Sequence, residues 1–434
     1  MQTHFSETQL ADTETAAAER AIRKCVHCGF CTATCPTYVL LGNELDSPRG
    51  RIYLLKEMLE QEATPTREVV THIDRCLSCL SCTSTCPSGV DYMHLIDHGR
   101  AYIETHYKRP FTDRMLRWAL ARILPFPRRF RMALRLGRLA RPLSPLLART
   151  SLTAPLAAML RMVPASGRPT ASVVPESQVE QPIGRVILFG GCIEPSLRPS
   201  FSAGLTRVLK RSGVEVVVAK GEVCCGAIPH HLGRREESLE FVRDNVRAWR
   251  DEISKGPVLG IVTTASGCGS MLKDYAHLLR DDGDLAETAR ELAALVCDST
   301  ELLSRIALPP TRDTPLPSIA YHAPCSLQHG QKIGSIGSDL LTRVGFEVRL
   351  PAEPHLCCGS AGTYNILQPS LASQLGKRKA DNLERLAPDL IVTANIGCAM
   401  QIAPGVARPV LHIVEIIDWA TGGPLPEAMI HWKG

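Results

Sequence analysis

Seventeen cysteines are the residues of this 434-residue chain that could carry chemistry, and they fall into two groups. Eight lie between positions 25 and 86, and nine lie between positions 192 and 398. The chain is too long for the small secreted proteins whose many cysteines form disulfides. Its first twenty residues, which include Glu7, Asp12 and Glu14, lack the apolar run of a signal peptide. We therefore expect a cytoplasmic protein whose reduced cysteines bind metal.

The first group repeats one motif, Cys-x2-Cys-x2-Cys-x3-Cys-Pro. Three thiolates in one short loop can bind three irons of a cubane, and the fourth cysteine starts a helix that leads to the other cluster. The spacing thus predicts two [4Fe–4S] clusters with crossed ligands. Zinc also binds Cys-x2-Cys pairs, but this doubled spacing is not typical of zinc sites. The predicted ligands are Cys25, Cys28, Cys31 and Cys86 for the first cluster and Cys76, Cys79, Cys82 and Cys35 for the second.

The second group lies in an internal repeat, because four cysteines of one copy recur in the next at offsets of 133, 133, 133 and 130 residues. Each follows the end of an expected strand, where parallel sheets gather ligands. We predict that they are further metal ligands for one or two additional clusters, and the alternative is that they are small core residues. The candidates are Cys192, Cys224, Cys225 and Cys268 in the first copy and Cys325, Cys357, Cys358 and Cys398 in the second.

Each copy alternates short apolar runs with helical patterns, which is the βαβαβ arrangement of a parallel sheet covered by helices. The expected strands lie within 184–192, 214–219 and 258–268 of the first copy and within 317–325, 346–350 and 390–398 of the second. Between the two cluster motifs, Ser47 and Pro48 predict the start of a helix. Arg49 and Arg51 in its first turn could raise a cluster's potential, or they could simply be solvated.

The chain is therefore expected to be an α+β multidomain protein. The four predicted parts are an α-helical two-cluster ferredoxin domain at 1–107, a basic helical connector and linker at 108–182, and two α/β Cys-Cys-Gly repeats with parallel sheets at 183–312 and 313–434.

The connector carries most of the positive charge. From Lys108 to Arg168 there are fourteen basic residues and one acid, Asp113, whereas the net charge of the whole chain is +5. Apolar residues alternate with arginines over 112–140, in helical pieces that should break at Pro125 and Pro127. Such helices suit an anionic membrane surface, internal packing or docking to an acidic partner subunit. Nucleic acid is not expected, because no binding motif is present and aromatic residues are few.

The twin motif, the basic connector and the two repeats resemble the iron–sulfur subunits of glycolate oxidase (glycolate dehydrogenase). The resemblance covers nearly the whole chain. The stretches that match most closely are 25–38, 47–54, 264–269, 355–364 and 391–398. It implies a subunit that takes electrons from a flavoprotein partner, which oxidises glycolate to glyoxylate, and passes them to a quinone or another acceptor. The chain has neither a G-x-G-x-x-G nor a Walker motif, so the hydride chemistry is expected on that partner.

Iron–sulfur subunits with a similar architecture suggest alternative functions for this chain. The architecture is similar to that of iron–sulfur subunits of D-lactate and glycerol-3-phosphate dehydrogenases, and to that of heterodisulfide reductase, which could act without partners. In heterodisulfide reductase each repeat ends with one more cysteine, and here Met271 and Gln401 stand at those positions. Four thiolates per repeat suit a conventional cluster and disfavour disulfide reduction. The resemblance implies a cytoplasmic location, at the inner face of the cytoplasmic membrane.

Five histidines lie close to the repeat cysteines in sequence, and histidine can ligate a cluster or move protons. Several such neighbours arise by chance in a chain with 14 histidines. His322 and His355 are the foremost candidates, and His230, His231 and His329 are the others. Cys297 has no counterpart in the repeat and is expected to be a buried structural thiol.

Overall fold

The computed structural model describes residues 1–147, 149, 153, 156–157, 159–160, 163, 178–430 and 432. The predicted fold class is confirmed, because a helical amino-terminal region is followed by two parallel sheets with helices around them. The stretch 164–177 of the predicted linker lies outside the described residues. The boundaries proposed between the four parts stay predictions.

Short capped helices build the amino-terminal region. Asp12, Ser47, Thr66 and Asp91 each accept a hydrogen bond from a backbone N–H in the first turn of the helix that follows, which satisfies donors that a helix leaves free. The predicted helix start at Ser47 is thereby confirmed. The helices of this region are Glu7–Leu10, Thr13–Lys24, Pro36–Leu41, Pro48–Glu60, Arg67–Asp74, Ser81–Thr85 and Tyr92–His106, with a 3-10 turn at Glu44–Asp46.

The apolar faces of these helices form one core from residues that are distant in sequence. Ile22, Leu55, Ile73 and Ile96 are each fully buried in it. Burial of side chains of this size contributes roughly 1.5–3 kcal/mol each. This core fixes the loops that carry the first eight cysteines, because each loop directly follows one of the core helices.

The first sheet has four parallel strands in the order β2-β1-β3-β4. They are β1 (Gly184–Leu188), β2 (Val214–Val217), β3 (Gly260–Thr263) and β4 (Val296–Asp298). The helices around it are Glu194–Leu197, Ser200–Arg211, Ala227–His231, Arg235–Ile253, Ser266–Lys273, Tyr275–Leu278, Ala286–Leu295 and Ser299–Arg305.

The second sheet repeats this topology in the order β6-β5-β7-β8. Its strands are β5 (Ile319–His322), β6 (Val348–Arg349), β7 (Leu390–Thr393) and β8 (Val410–His412). The α-helices are Ile336–Val344, Tyr364–Leu367, Pro369–Glu384, Ile396–Ile402 and Ile413–Ala420, with a π-helix at Ser326–Gly330 and 3-10 turns at Ala403–Gly405 and Glu427–Met429.

The structure corrects the expected sheets in two respects. Each repeat has a fourth strand, β4 or β8, which the expectation of three strands missed, because runs of three residues are too short to show a periodicity. The second strand of each copy is also shorter than expected, with β2 ending at Val217 and β6 spanning only Val348–Arg349.

The two repeats share a single core. Val186 and Val262 of the first sheet belong to the same buried cluster as Ile319 and Val392 of the second. Helices Ser200–Arg211 and Ile413–Ala420 pack against each other between them. Arg207 and Arg211 of the first helix both donate to Asp418, whose side chain is almost fully buried in the second helix. A buried carboxylate needs such partners, so this contact fixes one repeat against the other.

The connector forms the two helices Phe111–Ile123 and Pro127–Ala140, followed by a 3-10 turn at Arg141–Leu143 and the helix Ser144–Leu147. The break predicted between the first two is confirmed. Arg109 and Arg117 donate to Asp74 of the amino-terminal region at 2.7 and 2.8 Å, so part of the positive charge serves internal packing. Within the described part of the chain, no helix combines the length and the apolar character needed to cross a membrane.

Candidate metal centres

The two Cys-x2-Cys-x2-Cys loops adopt the same backbone conformation. His27 and Gly29 in the first loop, and Ser78 and Leu80 in the second, have positive φ angles of 54°, 83°, 50° and 61°. A left-handed residue between successive cysteines turns the chain tightly. The three thiols of each loop thereby line one cavity, as the ligands of a cubane would.

The first cavity is lined by the three cysteines of the first loop together with Cys86 of the second motif. Cys82 and Tyr92 also contact it. Arg49 lies at its rim, where the Nε atom donates to Glu44 Oε1 at 2.6 Å. This is the grouping that the crossed ligand prediction requires for the first cluster.

The second cavity is lined by Cys76, Cys79 and Cys82 of the second loop and by Cys35 of the first motif. Backbone and hydroxyl groups already point at these sulfurs, since the Ser78 N–H and the Tyr92 hydroxyl donate to Cys76 Sγ at 3.4 and 3.7 Å. Such donors stabilise thiolate ligands and tune the potential of a cluster.

Arg51 lies beside this second cavity, with only 1% of its surface exposed. Its Nε atom donates to the carbonyl oxygen of His72 at 2.7 Å, and its Nη1 atom donates to Cys35 Sγ at 3.8 Å. The expectation of a solvated side chain is therefore wrong for Arg51. A buried cation next to a ligand sulfur stabilises the electron that a cluster accepts, and so raises the reduction potential.

Burial favours the protonated form of three thiols in the two cavities. Burial raises the pKa of Cys31 to about 11, and it raises the pKa of Cys79 and Cys82 well above the usual range. Without a metal these groups stay protonated at neutral pH. A metal ion displaces the protons and compensates the thiolate charge, so the buried cysteines fit a metal cluster.

In the first repeat, the four candidate cysteines come together at the carboxyl edge of β1 and β3. Cys192 Sγ lies 3.4 Å from Cys224 Sγ, and Cys225 Sγ lies 3.4 Å from Cys268 Sγ. Hydrogen bonding with Cys224 and Cys268 holds the pKa of Cys225 well below its usual range. Thiols this close together in a buried setting suit shared metal ligation.

Two buried carboxyl groups, those of Glu194 and Glu222, lie close in sequence to the candidate cysteines of the first repeat. The sequence pattern did not indicate either of them. Burial raises the pKa of Glu194 to about 7 and that of Glu222 to about 8. Thr264 and Ser202 donate to Glu194, whereas the Gly190 N–H donates to Glu222. The signal that could have found Glu194 is its place two residues after the candidate ligand Cys192.

In the second repeat, the cysteines also converge. Cys325 Sγ lies 3.8 Å from Cys357 Sγ. Cys358 Sγ, Cys398 Sγ and a ring nitrogen of His322 lie within 4.8 Å of one another. The sequence offset therefore corresponds to a spatial grouping in each copy.

The second cluster cavity adjoins the second repeat. Cys79 lines that cavity and also a larger one, which Cys325 lines from the other side. Leu77 packs in one apolar cluster with Cys357 and Tyr364. The amino-terminal clusters and the second repeat are thus neighbours, which no sequence pattern indicated.

The remaining sequence candidates have structural partners. His230 and His231 lie 3.2 and 3.5 Å from the carboxylate of Asp97, and His329 lies near Ser84 Oγ and the His355 carbonyl oxygen. His355 is partly exposed. Cys297 is buried in β4 and belongs to the core that both repeats share.

This geometry defines an iron–sulfur electron-transfer protein with a ferredoxin-like part and two cysteine-rich repeats. A family model described as a 4Fe-4S dicluster domain matches residues 21–90, and one described as a cysteine-rich domain matches 186–273 and 319–403. The glycolate oxidase iron-sulfur subunit of Escherichia coli K12 is 41% identical over 97% of this chain and 99% of its own length. The chain belongs to the family of glycolate oxidase iron-sulfur subunits, which confirms the resemblance seen in the sequence. As a member, it is an iron–sulfur subunit of an oxidoreductase complex.

Other relatives are more distant. A probable glycolate oxidase iron-sulfur subunit of Bacillus subtilis is 29% identical over 93% of this chain and 95% of its own length. Lactate utilization protein A of Geobacillus thermodenitrificans is 27% identical, over 54% of this chain and 98% of its own. The crystal structure of a hypothetical protein from Helicobacter pylori shares the fold with a TM-score of 0.56 at 10% identity, over 96% of this chain and 74% of that one.

We expect the substitution Arg51→Met to lower the reduction potential of the second cluster. A unit charge about 6 Å away at an effective dielectric constant of about 20 is worth roughly 3 kcal/mol, which is roughly 100 mV for a one-electron couple. A redox titration followed by electron paramagnetic resonance (EPR) measures this shift. Arg23→Met, at a largely exposed position, is the control and should leave both potentials unchanged. Equal potentials in wild type and Arg51→Met would contradict the role given to this buried charge.

Proposed function

We propose that this chain is the electron-transfer subunit of a glycolate-oxidising complex, in which a partner flavoprotein converts glycolate to glyoxylate. The reaction releases two electrons and two protons, which a flavin can accept together and pass on one electron at a time. The observation that carries the proposal is a series of three neighbouring cavities, each of which shares a lining cysteine with the next. Cys82 lines both the first and the second cavity, and Cys79 lines both the second and the cavity shared with Cys325.

The direction of electron flow is part of this proposal. Cys28 is exposed, whereas Cys35, Cys76 and Cys357 are buried. Electrons from a partner can reach the first cluster most easily, since its loop lies at the surface. They would pass to the second cluster and then to the centre in the second repeat. A quinone or another acceptor would take them from this chain.

The choice of substrate belongs to the partner. Iron–sulfur clusters carry single electrons and do not accept hydride, so a hydroxy acid has to react at another cofactor. A related D-lactate or glycerol-3-phosphate complex would use the same series of cavities. The 41% identity over nearly the full chain supports glycolate, and the lactate utilization relatives match only 54% of the chain.

The central experiment removes one ligand of the first cluster. In the reconstituted complex, Cys31→Ser should abolish reduction of an artificial acceptor while glycolate still bleaches the partner's flavin, because only the relay is interrupted. Stopped-flow absorbance of the flavin and steady-state acceptor reduction measure the two steps. Cys297→Ser is the matched control, since that buried thiol lies in β4, and it should retain both activities. Loss of flavin reduction in Cys31→Ser would contradict the proposed division of labour.

The surface around the first cluster fits a docking partner. Val26 and Phe30 flank the exposed Cys28 and are themselves 68% and 63% exposed. Exposed apolar side chains next to a redox centre can be buried by a subunit that brings its flavin close. We propose that the flavoprotein covers this surface.

A charge placed in this surface should weaken the complex. Phe30→Glu is expected to raise the dissociation constant for the flavoprotein at least tenfold, because it would bury an unpaired carboxylate. Isothermal titration calorimetry measures the affinity, and Phe111→Glu, at a residue 66% exposed in the connector, is the control. Unchanged affinity in Phe30→Glu would place the partner elsewhere.

The connector presents a second surface, which we propose to bind an anionic membrane. Met132, Leu136, Leu139 and Leu143 follow each other at helical spacing and are between 54% and 81% exposed. Among the arginines beside them, Arg128, Arg129 and Arg135 are also exposed. An apolar stripe bordered by arginines can insert below lipid phosphates, and each basic residue near the surface adds about 1 kcal/mol. This contact would bring the acceptor end of the complex near a membrane quinone.

Sedimentation with lipid vesicles tests the membrane contact. The full chain should bind vesicles that contain phosphatidylserine, bind pure phosphatidylcholine weakly, and lose affinity at high salt. The double substitution Leu136→Asp and Leu139→Asp should reduce binding at least tenfold, whereas Leu350→Asp at an exposed site in the second repeat should not. Binding that is equal in all three proteins would contradict the assignment.

A further inference from the structure

We propose that His322 is a direct ligand of the metal centre in the second repeat, together with Cys358 and Cys398. This makes the centre chemically different from its counterpart in the first repeat. The inference goes beyond the proposed function, because it applies whichever hydroxy acid feeds the complex.

His322 is the last residue of β5, and it is 1% exposed. One of its ring nitrogens lies within 4.8 Å of both thiol sulfurs, which are themselves within this distance of each other. Bonds of about 2.0–2.3 Å from one metal to nitrogen and sulfur place tetrahedral ligands roughly 3.5–3.8 Å apart. A small contraction of the group therefore closes it around a metal.

Neither ring nitrogen of His322 has a hydrogen-bond partner among the described residues. Leaving a buried polar group unpaired costs roughly 1–3 kcal/mol. The buried imidazoles of His72 and His412 do have partners, in the Asp46 carboxylate and the Thr264 carbonyl oxygen, both at 2.9 Å. A metal bond would satisfy His322.

Polar and charged groups lie beside the thiols of the second repeat. Asn395 Nδ2 donates to Cys398 Sγ at 3.7 Å. Lys379 is 2% exposed, and its ammonium group donates to the carbonyl oxygen of Glu353 at 2.7 Å, on the side of the repeat where the thiols lie. Hydrogen bonds and a fixed positive charge around ligand sulfurs are what a buried thiolate site requires.

The first repeat has no imidazole at the position that matches His322. With the offset of 133 residues that relates Cys192 to Cys325, the residue matching His322 is Phe189. The Phe189 ring packs against Trp249, with 6.0 Å between the ring centroids. The two repeats therefore offer different donor sets, four thiols in the first and four thiols with one imidazole in the second.

This difference has a consequence for electron flow. A neutral imidazole ligand brings no negative charge to an iron–sulfur centre, and histidine ligation goes with a raised reduction potential. The second repeat adjoins the second cluster through Cys79 and Cys325. With a metal bound there, His322 would make this centre easier to reduce, so that it could accept electrons from the amino-terminal clusters.

The test uses the full chain, purified without air, and needs neither glycolate nor a partner. The centre of the second repeat is identified as the EPR signal that Cys358→Ser removes. Pulsed EPR should detect hyperfine coupling to ¹⁴N in this signal. His322→Cys should abolish the coupling and lower the midpoint potential, because a charged thiolate replaces a neutral ring. His329→Gln is the matched control, since His329 is a mostly buried neighbour with its own partners, and it should change neither.

The same variants test the ligation by His322 if the centre holds zinc. If Cys358→Ser removes zinc instead of iron, His322→Ala should lose zinc to a chelator at least tenfold faster than wild type and His329→Gln. Intact signals from the two amino-terminal clusters show that a variant is folded. Unchanged ¹⁴N coupling, potential and zinc retention in the His322 variants would overturn the inference, and so would a Cys358→Ser protein with full metal content. The Cys31→Ser experiment is independent, so failure of one proposal is distinguishable from failure of the other.

Discussion

A buried thiol can give up its proton at neutral pH only where something compensates the negative charge, and this constraint shapes the whole molecule. Burial raises the pKa of Cys31 to about 11 and raises the pKa of Cys79 and Cys82 well above the usual range. Iron compensates the charge of several thiolates at once, which fits the two sets of four cysteines in the amino-terminal region. The left-handed residues of the two loops serve the same purpose, because they turn three sulfurs towards one centre.

The positions of these groups follow from the way in which the three parts of the protein support one another. The amino-terminal helices bury their apolar faces in one core and leave the cysteine loops at its edge. The two sheets bury theirs in a common core, and the contact of Arg207 and Arg211 with Asp418 fixes the repeats relative to each other. Leu77 joins the first part to the second repeat through its contact with Cys357. Cavities that line up across these parts can therefore keep constant distances, as electron transfer requires.

The repeats have the same topology but different chemistry around their thiols. Glu194 and Glu222 flank the cysteines of the first repeat, where Leu327 and His355 take their places in the second. His322 stands opposite Phe189 in the same comparison. The two repeats thus share the strand-end cysteines and differ in the groups that set the charge around them.

The cluster motifs, the repeat and the class of fold could be predicted from the amino-acid order, because each depends on spacing along the chain. Cysteines with only two residues between them share a loop. Short apolar runs that alternate with helical patterns are typical of a parallel sheet. Other features came only from the three-dimensional fold: Arg51 is buried against Cys35, β4 and β8 complete the sheets, and Cys79 and Cys325 line one cavity. The ring nitrogens of His322 have no hydrogen-bond partner among the described residues. These features depend on contacts between residues tens to hundreds of positions apart, and such contacts are set by how the cores pack together and leave no periodicity in the sequence.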